Sequence, residues 1–161
     1  MDTSWDLKAS MTGFVRDPEM DFSEIMAQFD TFLIGRKTFE TMVRMGSDKP
    51  FAGIQYIVLS RTLRPGDFPH VMVQSDAEGA VKELRAKPGK DIALFGGGEL
   101  FRSLLAMGMV DRIEVSVIPI LLGGGIPLLP PPATRAILKL RQQRLYEKTG
   151  TIRLEYDIVR S

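Results

Sequence analysis

Three short segments combine glycine, hydroxyl and cationic residues directly after apolar runs. The most informative is residues 95–100 (FGGGEL), where three glycines separate an apolar run from a segment of helical period. Glycines there let the backbone approach a ligand closely, and the free N–H groups of the following helix would point at that ligand. The segment is neither a G-x-G-x-x-G fingerprint nor a Walker loop. It predicts a cradle for a diphosphate, and the alternative is a tight turn.

The second segment is residues 35–38 (GRKT), which also follow an apolar run and open a helix. Arg36 and Lys37 would stand in the first helical turn, where the helix dipole disfavours positive charge unless an anion lies in front of it. A bound phosphate would remove that conflict. The alternative is a solvated, screened pair of cations.

The third segment is Leu59, Ser60 and Arg61 at the end of the next apolar run. Ligands of open α/β sheets lie at the carboxyl ends of the strands, and a hydroxyl beside a guanidinium can hold a phosphate monoester. The extra phosphate of NADPH is such a group. The alternative is that the Ser-Arg pair only makes a turn.

Composition excludes several other kinds of site. The 161 residues carry 21 Lys+Arg against 20 Asp+Glu, a net charge of +1, so no basic field for nucleic acid or an anionic membrane is present. With no cysteine and one histidine, a disulfide framework, a thiolate nucleophile and a Ser-His-Asp triad are disfavoured, and we expect no metal. The chain has neither an apolar run of about 20 residues nor a secretory signal pattern, which predicts a cytoplasmic protein.

Short apolar runs alternate with helix-period segments along the whole chain, which predicts one α/β domain over residues 1–161. Residues 29–34, 54–59, 71–73 and 92–95 are expected to be buried strands. Ser75 and Glu78 have capping-box spacing and are expected to open a helix.

The last third of the chain has a different pattern. Residues 113–117 and 152–158 alternate apolar with polar side chains, which is typical of half-exposed antiparallel strands. Residues 121–133 contain three glycines and four prolines and should form an irregular loop. The basic residues between these strands are expected on a solvated helix face; they are Arg135, Lys139, Arg141 and Arg144.

Together the three segments resemble the dihydrofolate reductase superfamily, most closely the small single-domain proteins akin to the C-terminal reductase domain of bacterial riboflavin deaminase-reductases. The resemblance covers nearly the whole chain. It is carried by ASMTGFV (9–15), FLIGRKTFE (32–40), IVLSR (57–61), LFGGGELF (94–101), VDR (110–112), SVIPILLGGGIPL (116–128) and GTIRLEYDIV (150–159). It implies a three-layer fold, with a mixed, mainly parallel central sheet, antiparallel C-terminal strands and flanking helices.

The resemblance also implies that NADPH extends across the strand ends and that the Gly96-Gly97 peptide bond is cis. The cofactor phosphates would be lined by Gly35, Arg36, Lys37 and Thr38. The adenosine 2′-phosphate would be held by Leu59, Ser60 and Arg61. The diphosphate and nicotinamide ribose would contact Phe95, Gly96, Gly97, Gly98, Glu99 and Leu100.

The implied function is an NADPH-dependent oxidoreductase that passes hydride to a small heterocyclic substrate, either a pterin or a ribosylamino-pyrimidine of riboflavin biosynthesis. Asp21 is the candidate proton relay, and a bound water is the equal alternative for that task. The alternative role of Asp21 is the N-cap of a helix. Thr12 stands where many relatives have Asp. A non-catalytic NADP(H)-binding or regulatory protein is therefore the competing interpretation. Relatives are often homodimers, and we expect the same here.

Overall fold

The computed structural model describes Glu19 and residues 21–160, apart from the side chain of Phe22. The predicted motif at residues 9–15, including Thr12, lies outside the described residues. The helices are α1 (Phe22–Met26), α2 (Arg36–Arg44), α3 (Ala77–Arg85) and α4 (Gly98–Ala106). The strands are β1 (Phe29–Gly35), β2 (Gln55–Leu59), β3 (Met72–Gln74), β4 (Asp91–Leu94), β5 (Arg112–Val117), β6 (Ile137–Tyr146) and β7 (Thr151–Val159).

The four apolar runs form the predicted parallel strands, in the order β3-β2-β1-β4. The centres of β1 and β2 are buried as expected, whereas β3 and β4 contain no buried residue. Successive side chains of a strand point to opposite faces, so β1 contributes to two cores. Phe32 and Ile34 pack with Phe39 and Met42 of α2 on one face. On the other face, Leu33 packs with residues of α3 and α4. This arrangement of helices on both faces confirms the three-layer architecture.

The C-terminal strands form an antiparallel sheet in the order β5-β7-β6, and the predicted antiparallel pairing is confirmed. Among the described residues this sheet is hydrogen-bonded separately from the parallel one. A cavity of about 880 Å³ lies between them, lined by β4 on one side and the start of β5 on the other. The side chains of Arg112 and Asp91 approach to 3.7 Å across this gap.

The two faces of the antiparallel sheet differ in polarity. One face carries apolar pairs in register, such as Leu138 with Ile158 and Val115 with Leu154. On the other face, Glu114 lies directly opposite Glu155, an arrangement that repulsion would destabilise. Arg153 relieves it by pairing with both carboxylates, at 2.6 and 3.1 Å. The hydrogen bond to Glu114 raises the pKa of Arg153 above its ordinary value.

Two local predictions were wrong. The basic residues 135–144 do not form a helix, because most of that segment is β6. A bulge between Leu140 and Gln142 shifts the register against β7 and breaks the alternation of apolar and polar residues that would have identified a strand. The helix cap also differs: Asp76 rather than Ser75 caps α3, by accepting the backbone N–H of Gly79 at 3.0 Å.

The loop between β5 and β6 has no helix or strand from residue 118 to residue 136, which confirms the prediction for residues 121–133. In the part of the chain that the structure describes, no helix is long and apolar enough to cross a membrane. The cytoplasmic location stays a prediction.

Asp30, near the start of β1, accepts hydrogen bonds that favour its ionised form. Its carboxylate accepts the Lys90 N–H at 2.6 Å and the Thr31 hydroxyl at 2.9 Å. The bond from Lys90 lowers the pKa of Asp30 below its ordinary value of 3.8. A carboxyl with a lowered folded-state pKa stabilises the fold above its unfolded-state pKa, and that contribution disappears as pH falls through the folded-state pKa.

We therefore expect Asp30→Asn to lower the free energy of unfolding at neutral pH and to lose this deficit in acid. Urea unfolding of both proteins between neutral pH and pH about 3 measures the difference. A deficit that stays constant over this range would show that the charge of Asp30 makes no contribution.

Candidate functional site

The three segments singled out from the sequence lie at one edge of the parallel sheet. Gly35 at the end of β1 is in register with Leu59 at the end of β2. The backbone N–H of Ser60 donates to Gln74 at the end of β3 (2.9 Å), and that of Phe95 donates to Leu33 of β1 (2.8 Å). The carboxyl ends of all four parallel strands therefore meet where α/β sheets bind ligands.

Segments 35–38 and 95–100 are in direct contact. A Cβ atom added at Gly35 would lie 3.7 Å from Cβ of Leu100. One added at Gly96 would lie 3.0 Å from Cγ2 of Thr38, and one at Gly97 would lie 3.3 Å from the Thr38 hydroxyl. Thr38 thus fills the space that side chains at residues 96 and 97 would need. Because glycine has no side chain, the backbone of this turn can lie close to α2 and can also approach a ligand.

The two helices that begin in these segments have no side-chain cap. Gly35 and Gly97 are the N-cap residues of α2 and α4, and neither can satisfy the free N–H groups of the first helical turn. The other two helices are capped by carboxylates, α1 by Asp21 and α3 by Asp76. Uncapped N–H groups with the partial positive charge of a helix start favour an anion in front of them.

Two of the three predicted cations are available to an anion. Within residues 21–160, Lys37 and Arg61 are exposed and take part in no ion pair. Arg36 instead pairs with Glu40 one turn further along α2, at 2.6 Å. The conflict between charge and helix dipole inferred from the sequence is therefore concentrated on Lys37.

Ser60 makes the turn that was considered as the alternative to phosphate binding. Its nearly buried hydroxyl oxygen accepts the backbone N–H groups of Thr62 (3.1 Å) and Leu63 (3.0 Å). The Thr62 hydroxyl lies 3.4 Å from the Ser60 hydroxyl, so the two hydroxyl groups can share a hydrogen bond. These contacts fix the position of the Ser60 oxygen next to Arg61.

The remaining residues of segment 95–100 contribute in different ways. The ring of Phe95 stacks on Phe32 at 5.0 Å, so its side chain belongs to the core and only its backbone faces the strand ends. Leu100 packs under Gly35, and Glu99 pairs with Arg102 at 2.6 Å. In the described chain the cis bond is Pro131-Pro132, so the cis bond expected at Gly96-Gly97 is absent. Both of those glycines turn the chain through positive φ angles of 75° and 91° instead.

Asp21 occupies the N-cap of α1, as its alternative role required. Its Oδ1 accepts the backbone N–H groups of Ser23 at 2.8 Å and Glu24 at 3.2 Å, and the residue is exposed. The proton-relay role stays a prediction.

We expect Asp21→Ala to lower the free energy of unfolding by about 1 kcal/mol, because Ala cannot accept these N–H groups. Asn is an equally good cap, so Asp21→Asn should retain wild-type stability. Chemical denaturation of the three proteins makes the comparison. Equal losses for Ala and Asn would assign the effect to the charge rather than to the cap.

Some residues near the site were not predicted from the sequence. Gln74 and Ser75 lie at the carboxyl end of β3 beside Ser60, and the parallel order of the strands was the signal that could have located them. Loop residues 127–131 contact α4 through Gly98 and Arg102. No sequence signal connects that loop to α4. The described residues contain no cluster of three or more His, Asp or Glu able to hold a metal ion.

Comparisons with known proteins agree with this architecture. Residues 4–152 match the model of the RibD C-terminal domain, and the chain belongs to that family. Two similar proteins come from Bacillus subtilis strain 168, and both are uncharacterised. YyaP is 29% identical over 94% of this chain and 92% of its own, and YwjB is 25% identical over 80% and 74%.

Two solved structures share the fold. A Shewanella sp. PV-4 protein, itself only proposed to act in riboflavin biosynthesis, has a TM-score of 0.75 at 22% identity over 91% of this chain and 84% of its own. A pyrimidine reductase-like protein from Corynebacterium diphtheriae has a TM-score of 0.56 at 17% identity over 83% and 77%.

Proposed function

We propose that this protein is an NADPH-dependent reductase that transfers hydride to a ribosylamino-pyrimidine or a related small heterocycle. One observation carries the proposal: two uncapped helix starts, a glycine turn and two cations without an ion-pair partner among the described residues lie together at the carboxyl edge of the sheet. A dinucleotide is elongated and carries a diphosphate and a 2′-phosphate, which suits a row of separate anion-binding groups.

The residues present fit such a cofactor. The uncapped N–H groups that follow Gly35 and Gly97 would hold the diphosphate, and Lys37 would add an unpaired positive charge. Ser60 and Arg61 would hold the 2′-phosphate, with the Ser60 oxygen fixed by its turn. The absence of a side chain at residues 96 and 97 keeps the backbone open to the ligand.

When bound, NADPH supplies the hydride. The chain itself would orient the cofactor, exclude water from the cleft and hold a proton for the substrate. Asp21 is the candidate for the proton. Its involvement in capping α1 favours the competing proposal, a protein that binds NADP(H) without reducing a substrate.

Family membership supports a pyrimidine substrate over a pterin. The matching family is named for the RibD C-terminal domain, and one structural neighbour is described as pyrimidine reductase-like. The absence of cysteine argues against a cysteine-ligated zinc deaminase site within these 161 residues.

The test is NADPH oxidation by the purified protein with 5-amino-6-(5-phosphoribosylamino)uracil and, separately, with dihydrofolate. We expect turnover with the pyrimidine. Tight NADPH binding without turnover on either compound would support the non-catalytic alternative. Failure to bind NADPH at all would contradict both.

We also propose a homodimer formed through the apolar face of the antiparallel sheet. Val117, Leu140 and Leu145 on that face are 51%, 52% and 54% exposed. A contiguous exposed apolar surface is typical of an interaction site. Sedimentation equilibrium should give twice the mass of one chain, and a mass equal to one chain would contradict the proposal.

A further inference from the structure

The third glycine of segment 95–100 has a packing role in addition to its free backbone N–H. Gly98 is the first residue of α4, and its φ is not positive, so its conformation does not require glycine. A Cβ there would lie 2.9 Å from the carbonyl oxygen of Pro127, 3.0 Å from that of Leu128 and 2.9 Å from Cδ of Pro130. These atoms belong to the backbone and to a rigid ring, so they cannot move away without distorting the loop. Gly98 therefore lets residues 127–131, which we call the proline segment, lie directly on the start of α4.

Arg102, one helical turn after Gly98, binds the same segment. Residues four apart lie on the same face of a helix, so Arg102 stands next to Gly98. Its guanidinium donates through Nη1 to the carbonyl oxygen of Pro131 at 2.9 Å. The preceding part of the loop is exposed: Leu121 and Ile126 are 102% and 95% accessible to solvent. Among the described residues, no side chain holds it as Arg102 holds the proline segment. The loop is therefore attached to α4 at the proline segment.

The second hydrogen bond of Arg102 is to Glu99. Its Nη2 donates to Oε2 of Glu99 at 2.6 Å, in the first turn of α4. A carboxylate there interacts favourably with the helix dipole but repels an anion bound at the same helix start. The guanidinium of Arg102 offsets that repulsion. Leu128 of the proline segment and the three glycines of segment 95–100 line the same cavity, the one of about 880 Å³ between the two sheets.

From these contacts we propose that Arg102 is a positioning residue: it holds the proline segment as a wall of the anion-binding edge and neutralises Glu99 there. The attachment of the loop is independent of the proposed function. The consequence for cofactor affinity rests on that function. Each part therefore has its own measurement.

The first measurement needs no cofactor. Hydrogen exchange of a peptide covering residues 121–136 should become faster in Arg102→Ala and in Gly98→Ala, and it should stay unchanged in Glu99→Gln. Arg85→Ala is the matched control, because Arg85 makes the same kind of attachment from α3 to the carbonyl oxygen of Met109 (3.0 Å) and to Asp111. Exchange in Arg102→Ala equal to that in Arg85→Ala and wild type would overturn the attachment.

The second measurement is NADPH affinity by calorimetry. We expect Arg102→Ala to weaken binding about tenfold, since it removes a charged hydrogen bond and exposes the Glu99 charge. Arg102→Lys should recover part of the affinity by restoring the charge, and so should Arg102→Ala combined with Glu99→Gln. Arg85→Ala should bind as wild type does.

The outcomes separate the two proposals. If the wild-type protein binds NADPH and Arg102→Ala binds it equally well, the positioning role is wrong. If Glu99→Gln added to Arg102→Ala recovers nothing, the neutralising role is wrong. If the wild-type protein does not bind NADPH, the proposed function fails, and the exchange measurement still decides whether Arg102 attaches the loop.

Discussion

Arg61→Ala is expected to weaken NADPH binding about ten- to hundredfold and to leave NADH binding close to the wild-type value. The two cofactors differ only in the 2′-phosphate, and a charge-assisted hydrogen bond to a phosphate contributes about 1.5 to 3 kcal/mol. Arg61 is exposed, pairs with no carboxylate among the described residues, and follows Ser60, whose hydroxyl oxygen is fixed by two backbone N–H groups. Calorimetric titration with each cofactor measures the ratio.

Arg64→Ala is the control for this prediction. Arg64 is an exposed cation in the same loop and takes part in no ion pair within residues 21–160, so it matches Arg61 in general charge. Arg64→Ala should leave the affinities for NADPH and NADH nearly unchanged, because solvent and salt screen the effect of one surface charge. Equal losses of NADPH and NADH in Arg61→Ala would remove the 2′-phosphate assignment.

Gly97→Val is expected to abolish cofactor binding and to lower stability without unfolding the protein. Gly97 has φ 91° and ψ 95°, a conformation that a β-branched residue adopts only with strain. A side chain there would also meet the Thr38 hydroxyl at 3.3 Å and lie over the uncapped start of α4. Circular dichroism would establish that the fold persists, and NADPH titration would report the loss.

Gly124→Ala separates this effect from that of any glycine substitution. Gly124 belongs to the other run of three glycines, has no positive φ and has nothing within 4 Å of an added Cβ. We expect wild-type stability and affinity for it. Unchanged NADPH affinity in folded Gly97→Val would mean that the glycine turn does not contact the cofactor.

The sequence was sufficient to predict the parallel strands, because each contains a short apolar run that can be recognised without knowledge of distant residues. Residues 35–38, 59–61 and 95–100 could be placed at one edge for the same reason, since the carboxyl ends of parallel strands coincide. Strand β6 could not be predicted, because its bulge shifts the alternation partway along. Its apolar residues are also separated by basic and polar ones, so β6 lacks the continuous apolar run that identified the parallel strands.

The contacts of the site depend partly on local spacing and partly on distant residues. Arg36 was grouped with Lys37 as a phosphate ligand, although Glu40 stands four residues later on the same helix and pairs with it. Helical spacing was the signal that could have revealed this pair. Gly98 was grouped with Gly96 and Gly97, although its Cβ position faces the proline segment about 30 residues later in the chain. The packing role of Gly98 therefore depends on residues that are distant in the sequence.

The central claim is that residues 35–38, 59–61 and 95–100 bind one elongated ligand together. Titration of the ¹⁵N-labelled protein with NADPH, followed through backbone amide resonances, tests it most directly. We predict that resonances from all three segments shift with one common dissociation constant. The chemical shifts of residues in the antiparallel sheet should stay unchanged as NADPH is added. Shifts confined to one segment, or different dissociation constants for the three, would contradict a shared binding edge.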